Sequence, residues 1–325
     1  MKNIAIVCGG YSGEFEISMQ SAKLVKENLD IQKYKAYVVV IENIDWYFVS
    51  DTGKKYSINK DNFTLDIDGE LISFDGVFNA IHGTPGEDGK IQGYLDMLGI
   101  PYTSCNPDSS ALTFNKFYCN AFVSSYGLNL AQSFSFIKED KIDKEFVIEK
   151  LGLPLFIKPV RSGSSVGVSK VNDSSEFDQA VKDAFAADDR ILVEEFIEGR
   201  EFACGLLENG DQLVVFPITE IISKKDFFDY EAKYTSGMAD EICPAENLSE
   251  EVEKDIKALS SFLFRQMDCK SFVRFDYILR EDGLYFLEVN SIPGISAASI
   301  LPQMAQEYGY SMKEFFNIVL NNIFE

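Results

Sequence analysis

The 325-residue sequence has one histidine, one tryptophan and no Cys-x-x-Cys pair. Its six cysteines (Cys8, Cys105, Cys119, Cys204, Cys243 and Cys269) are widely separated. That spacing argues for reduced, packed thiols over a disulfide framework or a zinc site, and so for a cytoplasmic protein. Positive charge is also scarce. Lys plus Arg number 30 against 52 Asp plus Glu, a formal net charge of -22. Such a surface repels nucleic acid and anionic membranes, so neither is expected as a partner. If the ligand is itself anionic, positive groups must be concentrated locally or brought by bound metal. No segment approaches the roughly 18 consecutive apolar residues of a membrane span. The opening MKNIAIVCGG ends its short apolar run in glycines and reads as a buried strand, not a signal peptide. Internal repeats and low-complexity segments are absent.

What is present is apolar and aromatic, 46% and 13% of the chain, enough for large cores and against a disordered protein. The length favours two or three domains over one core. The first hundred residues alternate strand and helix signals: strands at Ile4–Cys8, Ala36–Ile41 and Asp75–Ile81. Helical patterns run through Met19, Ala22, Leu24 and Val25, and through Ile91, Tyr94, Leu95 and Leu98, closed by Gly99. Alternation of this kind predicts a parallel sheet flanked by helices. A second unit begins near Ser110, with a helix over 116–125, the strand LPLFIKPV (153–160), the loop RSGSSVG (161–167) and the strand ILVEEFI (191–197). A third holds the loop DFFDYEAKY (226–234), a helix over 250–265 and a hairpin. A final helix carries Met312, Phe315, Phe316, Val319, Leu320 and Ile323 at core spacing, with Ser311 and Glu314 as a capping box.

The hairpin SFVRFDYILREDGLYFLEVN has an apolar and a polar face, and two registers are conceivable. A two-residue Asp282-Gly283 loop would set Asp276 opposite Val289, mixing the faces. A three-residue Glu281-Asp282-Gly283 loop pairs Arg280 with Leu284 and sets Arg274 opposite Asn290 and Asp276 opposite Glu288. The second keeps all four polar side chains on one face and turns Val273, Phe275, Tyr277, Leu287 and Val289 into the core. Two carboxylates and an amide so placed suit a hard cation such as Mg²⁺, and equally describe a solvated face with one Arg–carboxylate pair.

Lys158 interrupts an apolar strand just before SGSSVG, whose small residues let backbone N–H groups approach phosphate. The loop is not a Walker A sequence, and GGYSGEFE lacks the dinucleotide-binding glycine spacing. Glu194 and Glu195 end a strand and can accept hydrogen bonds from an adenine amine and ribose hydroxyls. His82 follows a buried strand, where open α/β sheets place ligands.

These segments closely resemble the D-alanine–D-alanine ligases of the ATP-grasp superfamily. The resemblance is carried, in family order, by GGYSGEFEIS (9–18), HGTPGEDGKIQG (82–93), IPYTS (100–104), FIKPVRSGSSVGVSKV (156–171), DYEAKY (229–234), RFDYIL (274–279) and EVNSIPGISAAS (288–299). It implies an α/β protein, α+β in its later domains. A Rossmann-like parallel-sheet substrate domain over 1–110 would precede a central ATP-grasp domain over 111–198 and a C-terminal one over 199–325. It also implies ATP-dependent joining of two D-alanines through an acyl phosphate, for peptidoglycan precursor synthesis, in a cytoplasmic homodimer.

By matching positions, Lys116 and Lys158 would contact ATP phosphates, with Lys233 reaching the terminal phosphate. Glu194 and Glu201 would hold the ribose and adenine side, and the backbone at Glu195 and Ile197 would read the adenine between Phe156, Phe227 and Phe286. Asp276, Glu288 and Asn290 would coordinate two Mg²⁺ (or Mn²⁺). Arg274 and the Gly294 N–H would form the oxyanion hole. Glu14 would hold the first D-alanine's ammonium, with His82 near its carboxylate. Ser299 and Arg274 would hold the second D-alanine's carboxylate, with Ile300 against its methyl. Ser164 and Tyr234 would join Glu14 in a hydrogen-bonded latch. The chain departs from the family in Phe15, where a basic residue often stands, and in NSIPGIS, where N-T-x-P-G-M-T is commoner. Tyr234 is the form associated with D-alanine as second substrate, not D-lactate. The alternatives are an ATP-grasp ligase of the D-alanine–D-lactate type and a nucleotide-binding regulator without catalysis. Intact Lys158, Arg274, Asp276, Glu288 and Asn290 argue against the regulator.

Overall fold

The apolar run at the start forms the middle of a sheet. In the computed structural model, which describes residues 1–223, 239–296 and 299–324, β1 (Lys2–Gly9) is fully buried from Ile4 to Cys8. It pairs in parallel with β2 (Tyr34–Glu42) and β7 (Gly76–Asn79). Helix α1 (Phe15–Asn28) makes the first crossover and buries Ile17, Ala22 and Val25. The expected parallel pairing forms the core of this sheet, and the sheet also carries strands the sequence pattern did not show. Four further strands, β3 (Asp45–Val49), β4 (Lys55–Asn59), β5 (Thr64–Ile67) and β6 (Glu70–Ser73), extend it antiparallel in the order β6-β5-β4-β3-β2-β1-β7. Glu42 pairs directly with Asp45, so only Asn43 and Ile44 join β2 to β3. A link that short can only reverse the chain, since a parallel crossover needs a dozen residues or more.

Helix α2 (Lys90–Leu98) ends at Gly99 in the left-handed region, φ 67°. Then come α3 (Pro107–Phe114) and α4 (Lys116–Ser124), capped by Asn106 and Asn115, whose side chains accept the Ser109 and Tyr118 N–H groups. The sequence pattern reveals α4 and misses α3.

The second sheet contains β8 (Ser133–Ile137), β9 (Leu155–Pro159), β10 (Ser169–Val171) and β11 (Arg190–Glu195), in the antiparallel order β10-β9-β11-β8. With α5 (Lys144–Leu151) and α6 (Phe177–Ala187) it encloses its own core of Val147, Leu155, Ile157, Phe177, Ile191 and Val193.

The third sheet is also antiparallel. Its strands are β12 (Arg200–Asn209), β13 (Gln212–Val215), β14 (Thr219–Ser223), β15 (Ala239–Ile242), β16 (Phe272–Arg280) and β17 (Gly283–Asn290), ordered β15-β14-β12-β16-β17 with β13 on β12. Helix α7 (Glu250–Gln266) starts at Ser249, whose hydroxyl accepts the Val252 N–H. Helices α8 (Ile300–Tyr308) and α9 (Met312–Asn322) follow, α9 with the expected Ser311–Glu314 capping box.

The cores do not follow the order of the chain. Phe315, Phe316, Val319 and Leu320 of α9 pack in one cluster with Ile4, Ile6 and Val25 and with Leu207 and Phe272 of the third sheet. Truncating either buried phenylalanine would cost about 3–5 kcal/mol. The same seam carries a hydrogen bond from Tyr34 Oη to Asn321 Oδ1 at 3.0 Å. All six cysteines are free, as the spacing predicts. Among the described residues, no helix is long and apolar enough to cross a membrane.

Candidate active site

A cleft of about 1220 Å³ opens where the three sheets converge. A site for one small molecule is typically ~300–1,000 Å³, so this one has room for more than one reactant. Lys158 from β9, Glu194 from β11, Glu201 from β12, and Asp276, Phe286, Glu288 and Asn290 from β16 and β17 all line it. So do Glu14, His82, Lys116, Phe156, Ser164, Glu195, Ile197, Arg274, Gly294, Ser299 and Ile300. Phe227, Lys233 and Tyr234 lie outside the described residues.

The floor is the hairpin. Arg274 pairs with Asn290 and Asp276 with Glu288, as the polarity pattern predicts. The turn is not the expected three-residue loop. Arg280 pairs with Gly283, leaving Glu281 and Asp282 as the loop, and a β-bulge between Asp276 and Tyr277 takes up the difference. The bulge places Leu287 as the extra residue, so Leu287 is half-buried in the cleft wall instead of the core, and Phe286 takes the inward position. Phe275 and Tyr277 are fully buried behind this floor.

Arg274 donates from Nε and Nη2 to Asp276 Oδ1 and Oδ2 at 2.8 and 2.7 Å, and Asn290 Nδ2 donates to Asp276 Oδ2 at 3.0 Å. Burial acts against the charged guanidinium, but Asp276, Glu288 and Glu201 outweigh it and push Arg274 well up. Lys116 stands between the floor and the glycine loop: its Nζ is 3.7 Å from Glu288 Oε2 and donates to the Ser162 carbonyl at 2.9 Å. Each acidic group of the floor therefore has a cation beside it.

No three His, Cys, Asp or Glu side chains are gathered to hold a metal among the described residues. Asp276, Glu288 and Asn290 supply two carboxylates and an amide, hard oxygen donors that fall short of a full shell. That donor set fits Mg²⁺, which binds through one or two carboxylates while keeping waters and substrate phosphate oxygens.

Lys158 and Glu194, 8% and 5% exposed, form a close ion pair between neighbouring strands, and Asn120 Nδ2 donates to Glu194 Oε1 at 3.3 Å. Buried charges persist when paired in this way, and removing either partner leaves the other costly. Glu195 Oε1 accepts the Gln132 N–H at 2.7 Å. Phe156 and the neighbouring Phe196 lie 6.0 Å apart at 46°.

At the opposite wall, Ser164 Oγ donates a short hydrogen bond to Glu14 Oε1. Ser164 and Ser165 adopt positive φ, 48° and 57°, which turns the glycine loop onto Glu14. A Cβ on Gly163 would sit 2.5 Å from Glu14 Oε2, so any larger residue there would push the Glu14 carboxylate aside. His82 is buried. Its Nδ1 donates to the Ile292 carbonyl at 3.1 Å, which leaves Nε2 to accept from Ser21 Oγ at 2.9 Å. Burial lowers the His82 pKa, with Glu14 and the Ile292 carbonyl opposing, so the ring is neutral at pH 7. Ser299 Oγ lies 2.8 Å from Ser296 Oγ and accepts the Ser296 N–H at 3.1 Å, and a Cβ on Gly294 would come within 2.9 Å of it.

Sequence reasoning missed two groups. Arg200 grips Glu220 in a two-pronged pair at 2.7 and 2.8 Å beside Glu201. Glu87 lines the wall next to Glu14; its only signal in the sequence was its place in HGTPGEDG.

Comparison with known proteins gives a consistent result. A family model described as the D-ala D-ala ligase N-terminus matches residues 3–105, and one described as the D-ala D-ala ligase C-terminus matches residues 122–321. The D-alanine--D-alanine ligase of Azobacteroides pseudotrichonymphae is 41% identical over 325 residues, 99% of this chain and 100% of that protein. That of Christiangramia forsetii is 43% identical over 315 residues, 97% of this chain and 96% of the other. Among solved structures, D-alanyl-alanine synthetase A from Vibrio cholerae superposes with a TM-score of 0.89 at 29% identity, covering 100% and 99% of the two chains. A D-Ala:D-Ser ligase from Enterococcus faecalis gives 0.87 at 33% identity, covering 98% of each.

Proposed function

The chain belongs to the D-alanine–D-alanine ligase family and has its ATP-grasp fold, and from that premise we propose that it joins two D-alanines to D-alanyl-D-alanine at the expense of ATP. The product serves peptidoglycan precursor synthesis. This reading rests on one arrangement: every described residue that the family motifs single out faces the same cleft.

An anion must attack an anion in such a reaction, so charge neutralisation dominates the barrier. Lys116 and Lys158 hold ATP phosphates, and Lys233 reaches the terminal one. Glu194 and Glu201 take the ribose and adenine side, with the backbone of Glu195 and Ile197 reading the base between Phe156, Phe227 and Phe286. Asp276, Glu288 and Asn290 would hold Mg²⁺ or Mn²⁺, which would neutralise phosphate charge. Glu14 receives the first D-alanine's ammonium, and His82 lies near its carboxylate, which attacks the γ-phosphate to give an acyl phosphate. Ser299 and Arg274 fix the second carboxylate and Ile300 its methyl, so that the free amine meets the acyl carbon. Arg274 and the Gly294 N–H stabilise the tetrahedral oxyanion. Ser164 and Tyr234 tie the closed loop to Glu14 and keep water from the acyl phosphate.

The units span 1–110, 111–198 and 199–325, in a cytoplasmic homodimer. Phosphate release from Mg-ATP tests the reaction directly, with D-alanine, L-alanine and D-lactate compared. D-alanine alone should support turnover. Release that requires D-alanine and D-lactate together, with none from D-alanine alone, would overturn the dipeptide assignment. The D-Ala:D-Ser relative makes D-serine paired with D-alanine the informative competitor.

A further inference from the structure

Glu87 takes no part in the roles above, yet it is held in place. Its N–H donates to the Gly83 carbonyl at 2.8 Å, and the Gly83 N–H returns to Glu87 Oε2 at 3.0 Å. The same turn is tied to the segment carrying Glu14. Ser12 Oγ donates to the His82 carbonyl at 2.9 Å and accepts the Glu14 N–H at 3.2 Å. A Cβ placed on Gly83 would lie 3.0 Å from Glu14 Oε2. The two carboxyl groups therefore flank one backbone unit and face the cleft together.

The charges facing Glu87 are Glu14 from before α1, Lys116 from α4 and Glu288 from β17. Among the described residues, no lysine or arginine forms an ion pair with Glu87 or Glu14, and Lys116 is turned to Glu288 and Ser162. Burial and then Glu14 push the Glu87 carboxyl up to about 8, Lys116 and the Gly83 N–H notwithstanding. Two neighbouring carboxyls, Glu14 buried and Glu87 half-buried, either share a proton or hold a cation. An ammonium group has three donors, and Glu14 Oε1 is already engaged by Ser164.

We propose that Glu87 is a substrate-binding residue that joins Glu14 in holding the ammonium group of the first amino acid. This rests on the reading of Glu14 given above. It makes the first subsite a cation site, which accepts amino acids and rejects hydroxy acids of the same shape, because a neutral hydroxyl cannot balance two carboxylates.

The test is steady-state phosphate release by the full chain with Mg-ATP and D-alanine, comparing Glu87→Gln, Glu87→Asp and Glu14→Gln, with thermal unfolding of each. Glu87→Gln keeps the shape and removes the charge. It should raise the first-site KM about 10- to 100-fold, with the ATP KM, the second-site KM and the Tm within error or the Tm higher. Glu87→Asp should fall between. A purely structural role would instead lower the Tm and shift all three KM values together, and would overturn the proposal. If Glu14→Gln raises the first-site KM and Glu87→Gln does not, the role of Glu87 fails and that of Glu14 stands. If neither raises it, the reading of Glu14 fails and takes this one with it.

Discussion

Arg274 and Asp276, two residues apart on β16, meet as a two-pronged ion pair on the cleft floor, at 2.8 and 2.7 Å. The pair is buried, 12% and 3% exposed at the side chains, so its charges are poorly screened. The guanidinium is thus aimed and fixed before any substrate arrives.

Replacing Arg274 by lysine keeps a charge and loses the planar fork. If Arg274 stabilises the oxyanion, kcat should fall about 10²–10³-fold. Arg274→Met leaves Asp276 buried without its partner and should destabilise the fold by about 3–5 kcal/mol. Denaturant unfolding and phosphate release measure the two effects separately. A lysine variant with unaltered kcat would remove Arg274 from the oxyanion site.

The incomplete donor set of the floor makes a prediction about metal. Because Asp276, Glu288 and Asn290 leave coordination positions to phosphate, Mg²⁺ should bind the free protein weakly and the nucleotide-loaded protein tightly. Calorimetric titration with Mg²⁺, with and without a non-hydrolysable ATP analogue, checks this. Asp276→Asn combined with Glu288→Gln should abolish the tight phase and ligation together. Undiminished ligation in the double variant would show that these residues do not carry the metal.

Gly163 offers a test of the Glu14 wall that spares the fold. A methyl group there would press on Glu14 Oε2 from 2.5 Å, and that atom ends a side chain able to swing aside. Gly163→Ala should therefore leave the Tm nearly unchanged while raising the KM for D-alanine several-fold. A large drop in Tm with unchanged KM would show a structural glycine instead.

Glu87 also links stability to pH. Its carboxyl titrates at about 8 in the folded chain against about 4.5 ordinarily, so between those values the folded state holds a proton the unfolded state has lost. Its contribution therefore declines as pH rises from about 4.5 towards 8. Burial also raises Glu241, which acts in the same sense, while the lowered His82 acts oppositely below its ordinary 6.5. The difference between wild type and Glu87→Gln isolates the first of these. The variant should gain Tm relative to wild type as pH climbs from 5 to 8, in scanning fluorimetry without ligand. A gap that stays constant across that range would contradict the assignment.

The sequence made some of this legible and hid the rest for physical reasons. The floor pairing was readable because a one-residue slip between β16 and β17 would have buried charge. The bulge at Leu287 was not, because an extra residue can be absorbed at several points along a strand without disturbing the polarity pattern at its far end. β3 to β6 escaped notice because their burial alternates loosely and their turns are short. Lys158 was visible as a charge in an apolar strand, but its partner Glu194 comes from β11, and only the β9–β11 pairing brings them together. Glu87 looked like one more acid in a chain rich in them. Its meaning lies in its distance from Glu14, which no local pattern encodes.

The seam between α9 and the first sheet governs how the chain is made as well as how it stands. β1 is translated long before α9, yet Ile4 and Ile6 find part of their cover only in Phe315, Phe316 and Leu320. A nascent chain emerging from the ribosome therefore carries a partly uncovered apolar face until α9 has been made. The second sheet, with a core drawn from 134–193, has its apolar cover within one stretch of chain. A core drawn from one stretch of chain needs no later residue to close, whereas the cover of β1 is complete only once α9 exists.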